Sequence, residues 1–346
     1  MKFPLNYDNM YKAIQACAIT GLVPYIVSEP GLGKSALVKK FAKDNKLKLI
    51  DLRLSSLEPV DLAGAIKVTG DLAQYVPFDV FPIKGKYLEP EYEGILLFLD
   101  ELPSAHRQVL AASYRLILDR SVGQYELDER CVIICAGNSI HDKAIVNNIG
   151  TALQSRMIML NLQVTAEEWV RNVAIPQNYD ERIIAFVTAY PDQINTFSPK
   201  LVEESFSSPR TLEFANKLLS LADRNDEVTV TLQALLIGAL GSKGGTALIS
   251  FLKVYGLIPT VEEIVADQMT AKLPTDPETQ WATIVSLLLA DISVIPKVNT
   301  YVSRMPSYMQ RFYYSHVIER EGVIGTPLAY ELDKANSIAT GRLLLS

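Results

Sequence analysis

The stretch SEPGLGKSAL, Ser28 to Leu37, decides the fold of this chain. It matches the pattern G-x-x-x-x-G-K-[ST] at Gly33, Lys34 and Ser35, and departs from it where Ser28 stands in place of the first glycine. The preceding residues, LVPYIV, predict a strand by their β-branched content, and the following ones, SALVKKFAKDN, predict a helix by their apolar spacing. In this strand–loop–helix context the pattern forms a phosphate-binding loop.

A phosphate-binding loop works through its backbone. Consecutive N–H groups point into a concavity that a di- or triphosphate fills, while the lysine reaches the outer phosphates and the hydroxyl ligates Mg²⁺. Ser28 lies at the strand exit, where a small side chain is sufficient if φ stays negative. The alternative is a chance glycine-rich turn. The residues predicted to contact the nucleotide are Glu29, Pro30, Gly31, Leu32, Gly33, Lys34, Ser35 and Ala36.

The composition is that of a globular protein of 346 residues, long enough for two or three domains. The net charge of −6 argues against a surface coated in basic residues for nucleic acid, although a local basic groove stays possible. Cys17, Cys131 and Cys135 are predicted to be buried, reduced thiols. The N-terminus has no signal-peptide pattern and no apolar run reaches bilayer length, so we expect a cytoplasmic protein that does not contact a membrane.

Predicted strands and helices alternate through the first 165 residues. Further strands are KLKLIDLRL, GILLFLDEL, CVIICAGN and MIMLNLQV, with a helix in HRQVLAASYRLILDR and a short hairpin in VGQYELDER. Strands separated by helices predict an α/β fold with a parallel sheet covered on both faces. After Thr165 only helix-like segments follow. We therefore predict an α/β nucleotide-binding core over 1–165, a helical lid over 166–226 and a helical extension of unknown role over 227–346.

Two acids, Asp100 and Glu101, end the buried strand GILLFLDEL. A nucleoside triphosphatase needs a carboxylate on the metal side and a group that orients or deprotonates the attacking water. Asp100 is predicted to hold Mg²⁺ through its water shell, together with Ser35, and Glu101 is predicted to polarise the water. Alternatively, the two acids cap the following helix. Combined with the loop, the functional interpretation is favoured, with loop and acids expected on neighbouring strands of one sheet.

The strand CVIICAGN ends in Asn138. Such an ending is commonly only a turn signal, because asparagine tolerates the left-handed conformation and makes local hydrogen bonds. If this strand lies between the other two, however, the Asn138 amide is expected to point at the γ-phosphate or the attacking water.

Taken together, these residues resemble the AAA+ ATPases, and in detail the MoxR-type branch that carries an insert in helix 2. SEPGLGKS resembles the Walker A motif, LLFLDE the Walker B motif, AGN the sensor 1 strand end, and FSSPRTLEFANKL the start of the sensor 2 helix. The resemblance covers roughly residues 20 to 220. It implies an AAA+ P-loop core with a parallel sheet flanked by helices, followed by an all-α lid and a helical C-terminal extension.

The resemblance also implies roles for two arginines. Arg156, in ALQSRM, matches the arginine finger, which reaches the γ-phosphate bound to a neighbouring subunit. Arg210, in SSPRTL, matches sensor 2, which couples the lid to the nucleotide within one subunit or across the interface. Without the other motifs, the favoured interpretations are that Arg156 caps a helix C-terminus and that Arg210 belongs to a surface ion pair.

The segment from Leu57 to Pro90 corresponds to the helix 2 insert of that branch. VTGD within it predicts a hairpin turn. In the family such inserts project toward the central pore or the side that faces the partner, and a plain surface loop is the equal alternative.

The resemblance implies an enzyme that uses ATP and Mg²⁺ as a homo-oligomeric ring, a hexamer, and remodels or activates a protein client, often one with a von Willebrand factor A domain. One alternative is a nucleotide-gated assembly scaffold with incidental turnover. Another is a motor or loader that acts on DNA, against which the acidic net charge and the lack of a helix-turn-helix or zinc signature count.

Overall fold

The computed structural model describes residues 3–138, 149–199, 205–221 and 228–339. The chain divides into two compact units, each described by itself. The core unit is Met1–Val164 with Phe197–Val202, and the helical unit is Thr165–Thr196 with Glu203–Ser346. The helical unit holds the described residues of both the predicted lid and the predicted extension, and their division near residue 226 stays a prediction.

Six strands of the core unit form a parallel sheet in the order β1-β10-β2-β9-β6-β3. Because all of them run in the same direction, their carboxyl ends lie along one edge of the sheet. The strands of the unit are β1 (Pro4–Leu5), β2 (Val23–Ser28), β3 (Leu47–Arg53), β4 (Ala65–Thr69), β5 (Leu72–Val76), β6 (Gly94–Asp100), β7 (Ser121–Val122), β8 (Tyr125–Glu126), β9 (Cys131–Asn138) and β10 (Met157–Leu162).

Helices cover both faces of this sheet. Tyr25, Leu97 and Ile133 point to one face, where they share a core with side chains of α4 and α5. Alternate residues such as Ile26 and Leu96 point to the other face and are also fully buried. The helices of the unit are α1 (Tyr7–Thr20), α2 (Lys34–Asp44), α3 (Pro59–Ala63), α4 (Arg107–Leu118) and α5 (Gly150–Gln154). The predicted fold class, a P-loop α/β core followed by an all-α region, is confirmed.

The long apolar runs of the sequence occupy the middle of the sheet. Every residue of β6 is buried, and so is nearly all of β9. Both strands have neighbours on either side and helices above and below, which explains why neither shows the alternation of a half-exposed strand. The two-residue strand β1 has no such signal and is missed by the sequence prediction.

The expectation that the phosphate loop and the acids lie on neighbouring strands is wrong. β9 separates β2 from β6, since Cys135 pairs with Tyr25 on one side and with Leu99 on the other. The apolar run of β9 suits a position buried on both faces, and this strand takes the centre. The condition set for Asn138 is therefore met, because its strand lies between the other two.

The three cysteines are buried and form no disulfide within the described chain, as predicted. Burial raises the pKa of the Cys131 thiol to about 12 and raises that of Cys135 as well. Both thiols are therefore protonated at neutral pH and poor nucleophiles.

The predicted insert contains a hairpin made of β4 and β5, which pair antiparallel around the turn at Gly70. The turn prediction for VTGD is thus confirmed. Both strands are exposed or only half-buried along their length, and Ile66, Val68, Leu72 and Tyr75 are exposed apolar side chains. The shorter predicted hairpin is also present, formed by β7 and β8.

Among the described residues, the helical unit contains no strand. Its second half packs around a core that includes Tyr301, Tyr313 and Tyr314, which are almost completely buried. The helices of the unit are α6 (Ala166–Trp169), α7 (Glu181–Ala189), α8 (Pro209–Leu219), α9 (Val230–Tyr255), α10 (Val261–Ala266), α11 (Pro277–Leu289), α12 (Ile295–Ser303), α13 (Ser307–Ile318) and α14 (Pro327–Ala339).

Helix α9 consists of two helical halves that meet at Gly241, where φ is +73°. A Cβ atom at Gly241 would overlap the carbonyl oxygen of Ser205, so only glycine allows this approach. In the described part of the chain, α9 alone is long and apolar enough to cross a membrane, contrary to the expectation that no apolar run reaches bilayer length. Helices α11 and α12 pass the same test only as a pair bent by 113°. Half of the apolar window of α9 is buried within the protein, as in a core helix.

We predict that Gly241→Ala lowers the free energy of unfolding by about 2 to 4 kcal/mol, because the new methyl group adds a clash with Ser205 to an unfavourable positive φ. Urea unfolding followed by circular dichroism measures the change.

Gly238→Ala is the matched control in the same helix. Gly238 is exposed and no heavy atom lies within 4 Å of the position that a methyl group would take, so alanine is expected to be neutral or to stabilise by up to about 1 kcal/mol. Equal effects of the two substitutions would contradict a requirement for glycine at position 241.

Candidate phosphate-binding site

The predicted loop lies where the motif requires it, between the end of β2 at Ser28 and the start of α2 at Lys34. Gly31 and Gly33 both have left-handed φ angles, +81° and +83°, which suit glycine and strain other residues. Gly33 is the N-cap of α2, and no side chain caps its first turn. The positive end of the helix dipole therefore lies at the loop without a capping side chain, and it favours an anion there.

A tyrosine outside the motif holds this loop. The Tyr7 hydroxyl, at the start of α1, donates to the carbonyl oxygen of Leu32 at 2.8 Å. The tyrosine oxygen would lie 2.7 Å from a Cβ atom at Gly33, so Tyr7 also excludes a side chain there. Sequence reasoning missed Tyr7 because the contact spans 25 positions and no motif includes it.

The Lys34 ammonium lies at the carboxyl edge of the sheet with only 9% of the residue exposed. It donates to Asn138 Oδ1 at 2.9 Å and to Ser28 Oγ at 2.9 Å. Two longer contacts of 3.4 Å reach the carbonyl oxygens of Ser28 and Glu29. The structure therefore brings together the lysine and the asparagine that the sequence predicted, and it adds Ser28 to them.

Ser35 and Asp100, both predicted on the metal side, are in direct contact. The Ser35 hydroxyl donates to Asp100 Oδ2 at 2.9 Å, and the other carboxylate oxygen accepts from the backbone N–H of Glu101 at 2.8 Å. Only 8% of Asp100 is exposed. Hydroxyl and carboxylate oxygens are the hard ligands that Mg²⁺ prefers, and this ion is commonly held by one or two such groups together with substrate phosphates. These residues thus fit the ion.

No group of three or more His, Cys, Asp or Glu side chains that could hold a metal by itself occurs in the parts of the chain that the structure describes. A Mg²⁺ ion that shares its coordination with phosphates and water does not need such a group.

Glu101 has an unusual backbone conformation for a residue with a side chain, with φ at +58°. Left-handed residues other than glycine cost free energy and are concentrated at functional sites. The Glu101 carboxylate accepts a hydrogen bond from the hydroxyl of Ser55, which follows β3. Glu101 occupies the N-cap position of the short 3₁₀ helix Leu102–Ser104, but its side chain makes no capping hydrogen bond there. The longer helix α4 begins only at Arg107, and its N-cap is His106. The cap alternative therefore holds for the backbone position of Glu101 but not for its carboxylate.

Close packing holds the strand end that carries Asn138. A Cβ atom at Gly137 would overlap the ring of Pro103 and lie 2.7 Å from the Tyr25 hydroxyl, so the backbone there approaches both neighbours closely. Ser28 and Asn138 pair directly in the sheet. The side chains of both residues therefore reach Lys34 from adjacent strands.

Two residues near the carboxyl end of β3 lie beside the acids without having been predicted there. Arg53 pairs with Asp100 in the sheet, and Asp51 points to the same face two residues earlier. Partial burial and, to a smaller extent, the negative charge of Asp100 raise the pKa of Asp51. The sequence signal is the alternation of apolar and charged residues in LIDLR, which identifies the exposed side of an edge strand but no role.

Arg156 lies far from the loop of its own chain. It directly precedes β10, whose first residue, Met157, pairs with Val23 at the start of β2, whereas the loop follows Ser28 at the other end. Five residues of strand correspond to roughly 16 Å. The Arg156 guanidinium donates to the carbonyl oxygen of Ala152 at 3.4 Å, at the end of α5, so the helix-capping interpretation describes its contact here.

Arg210 belongs to the helical unit, in the first turn of α8 after the N-cap Ser208. Its side chain is exposed, and it forms no ion pair with any residue that the structure describes. A positive side chain is unfavourable near a helix N-terminus. The alternative that Arg210 forms a surface ion pair thus finds no acidic partner among the described residues. The sensor role of Arg210 stays a prediction.

No protein-family model and no curated protein matches this sequence. Among solved structures, the chain is similar to RuvB of Thermotoga maritima, described as a Holliday junction branch migration motor, at 16% identity and a TM-score of 0.33, over 96% of this chain and 83% of that one. It is also similar to a Cytophaga hutchinsonii protein described as a candidate ATPase, at 12% identity and a TM-score of 0.35, over 94% and 87% of the two chains. Likenesses this low carry no argument about function.

We predict that Tyr7→Phe lowers the free energy of unfolding by about 0.5 to 1.5 kcal/mol, the usual contribution of one hydrogen bond. Because the lost bond ends on Leu32, amide hydrogen exchange in residues 29–33 is expected to accelerate, which mass spectrometry measures.

Tyr11→Phe is the control on the same helix. Its hydroxyl donates to Asp44 at 3.3 Å in an exposed position, away from the loop. If both variants changed amide hydrogen exchange in the loop equally, the hydrogen bond from Tyr7 would not stabilise the loop specifically.

Proposed function

We propose that this chain is an Mg-ATP-dependent ATPase of the AAA+ class, of the MoxR type, that hydrolyses ATP at the interfaces of a ring and remodels or activates a protein client. The observation that carries the ATPase part is one contact network: Lys34 with Asn138, and Ser35 with Asp100. These pairs are 104 and 65 positions apart in sequence, yet they meet at one edge of the sheet. A glycine-rich turn that arose by chance would not be expected to bring these four residues into contact.

In this proposal each residue acts on a defined part of the nucleotide. The backbone of residues 29–36 holds the phosphates, and Lys34 donates to the outer ones. Ser35 and Asp100 hold Mg²⁺, which supplies neutralisation of phosphate charge when bound. Glu101 orients and deprotonates the attacking water, and Asn138 positions it. The Ser55 hydroxyl is placed to hold the Glu101 carboxylate in one orientation.

The position of Arg156 supports action between subunits. At roughly 16 Å of strand from its own loop, the guanidinium is at the wrong end of the sheet to contact a nucleotide bound there. An arginine from a neighbouring copy stabilises the charge that develops on the transferred phosphoryl group, and hydrolysis then depends on assembly. The hexameric ring, the role of Arg210, the client with a von Willebrand factor A domain and the cytoplasmic location are proposed from the resemblance.

We predict that Glu101→Gln retains ATP binding and lowers turnover by a factor of about 10² or more, because the amide cannot accept a proton from water. Isothermal titration calorimetry measures binding, and a phosphate-release assay measures turnover.

Glu93→Gln is the control. Glu93 forms an exposed ion pair with Lys46 and directly precedes β6, at the opposite end of that strand from Asp100. Turnover that survived in the Glu101 variant would remove this residue from the role of base.

We predict that Arg156→Ala is nearly inactive alone and regains activity when mixed with Lys34→Ala. In mixed assemblies the first variant supplies an intact loop and the second supplies the arginine, so some interfaces are complete. Phosphate release is measured at fixed total protein while the ratio of the two variants changes.

The same assay separates the proposal from the alternative of a nucleotide-gated assembly scaffold with incidental turnover. Wild-type activity per molecule is expected to rise with protein concentration, and Arg156→Ala is expected to abolish that rise. If mixing restored no activity although the two variants co-assembled in native mass spectrometry, an arginine acting between subunits would be refuted.

A further inference from the structure

The Lys34 ammonium has more acceptors in the protein than it has protons to donate. It carries three N–H groups. Oxygens of the described residues near it include Ser28 Oγ and Asn138 Oδ1 at 2.9 Å each, and the carbonyl oxygens of Ser28 and Glu29 at 3.4 Å. A phosphate oxygen can therefore receive a hydrogen bond from Lys34 only by replacing one of these acceptors.

The Ser28 hydroxyl oxygen accepts a hydrogen bond from this lysine. Its hydroxyl proton is used on the Glu29 carbonyl oxygen at 2.8 Å, which leaves the lone pairs of Oγ for the ammonium at 2.9 Å. The residue is 3% exposed, so water does not readily take its place. A glycine, the residue that the loop pattern has at this position, offers no such acceptor.

We propose that Ser28 is a positioning residue that anchors the Lys34 ammonium in the protein and competes with phosphate oxygens for it, so that its hydroxyl weakens nucleotide binding. The inference rests on the proposed function, because it requires that the loop binds a nucleotide. It gives a role to the one position at which the loop departs from its pattern.

Removing the Ser28 hydroxyl tightens or weakens ATP binding according to whether the hydrogen bond from Lys34 to Ser28 exists in the protein without nucleotide or in the complex. A buried ammonium needs acceptors, and a hydrogen bond to a charged group contributes more than one between neutral groups. Removing Oγ takes away one of the two acceptors that lie 2.9 Å from the Lys34 ammonium, and a bound phosphate oxygen replaces it. The substitution thus disfavours the protein without nucleotide more than the complex, and binding becomes tighter.

The test compares the dissociation constants for ATP of wild type, Ser28→Ala and Ser28→Gly by isothermal titration calorimetry. Both variants are expected to bind at least about tenfold more tightly, the effect of one hydrogen bond to a charged group that the complex does not use. Ser28→Thr retains a hydroxyl and is expected to bind like wild type. Weaker or unchanged binding in both Ser28→Ala and Ser28→Gly would overturn the inference.

A double-mutant cycle excludes an indirect structural effect. In a Lys34→Ala background the competition no longer exists, so Ser28→Ala is expected to leave the remaining ATP affinity unchanged. The same tightening in both backgrounds would show that Ser28 acts on the loop and not through Lys34. If wild type binds no ATP, the proposed function fails, whereas wild-type binding without tightening in the variants refutes only the role of Ser28.

Discussion

The hydrogen bond from the Lys34 ammonium to Asn138 is the interaction on which the arrangement of the site depends. It joins the first residue of α2 to the last residue of the central strand β9. Because the ammonium is almost fully buried, it must be surrounded by acceptors, and this need fixes the strand end and the loop relative to each other. The hydrogen bond from Ser35 to Asp100 likewise connects the start of α2 to the end of the next strand, β6.

Left-handed backbone conformations shape this edge of the sheet, although they also occur elsewhere in the described chain. Gly31 and Gly33 in the loop and Glu101 after the acid strand all have left-handed φ angles, and Gly137 has no room for a side chain. For the glycines, the sequence avoids the cost by omitting the side chain. At Glu101 the chain retains a side chain in an unfavourable conformation, which is expected where the carboxylate itself is needed.

Much of the core unit could be predicted from sequence, because its strands are continuous apolar runs and its loop carries an ordered motif. The bounds of β2, β6 and β9 agree with the predicted segments to within one or two residues. The order of the strands could not be predicted in the same way, since parallel crossovers allow a later strand to insert between earlier ones. The expectation that the strand before the loop and the strand ending in the acids are neighbours failed for that reason. By contrast, the break of α9 at Gly241 falls at the start of GSKGGTA, the glycine-rich stretch at which the sequence predicts an interruption of the helix.

The sequence by itself determined which residues are proposed to bear the chemistry: the loop with Lys34 and Ser35, the acids Asp100 and Glu101, and Asn138 at a strand end. Their types and spacing follow local patterns that a chain carries wherever it folds. Only the tertiary structure decided that Ser28 reaches Lys34, that Tyr7 holds Leu32 and that Ser55 meets Glu101. These contacts depend on strand order and register. Both arise from the packing of the whole sheet, so no short segment of sequence predicts them.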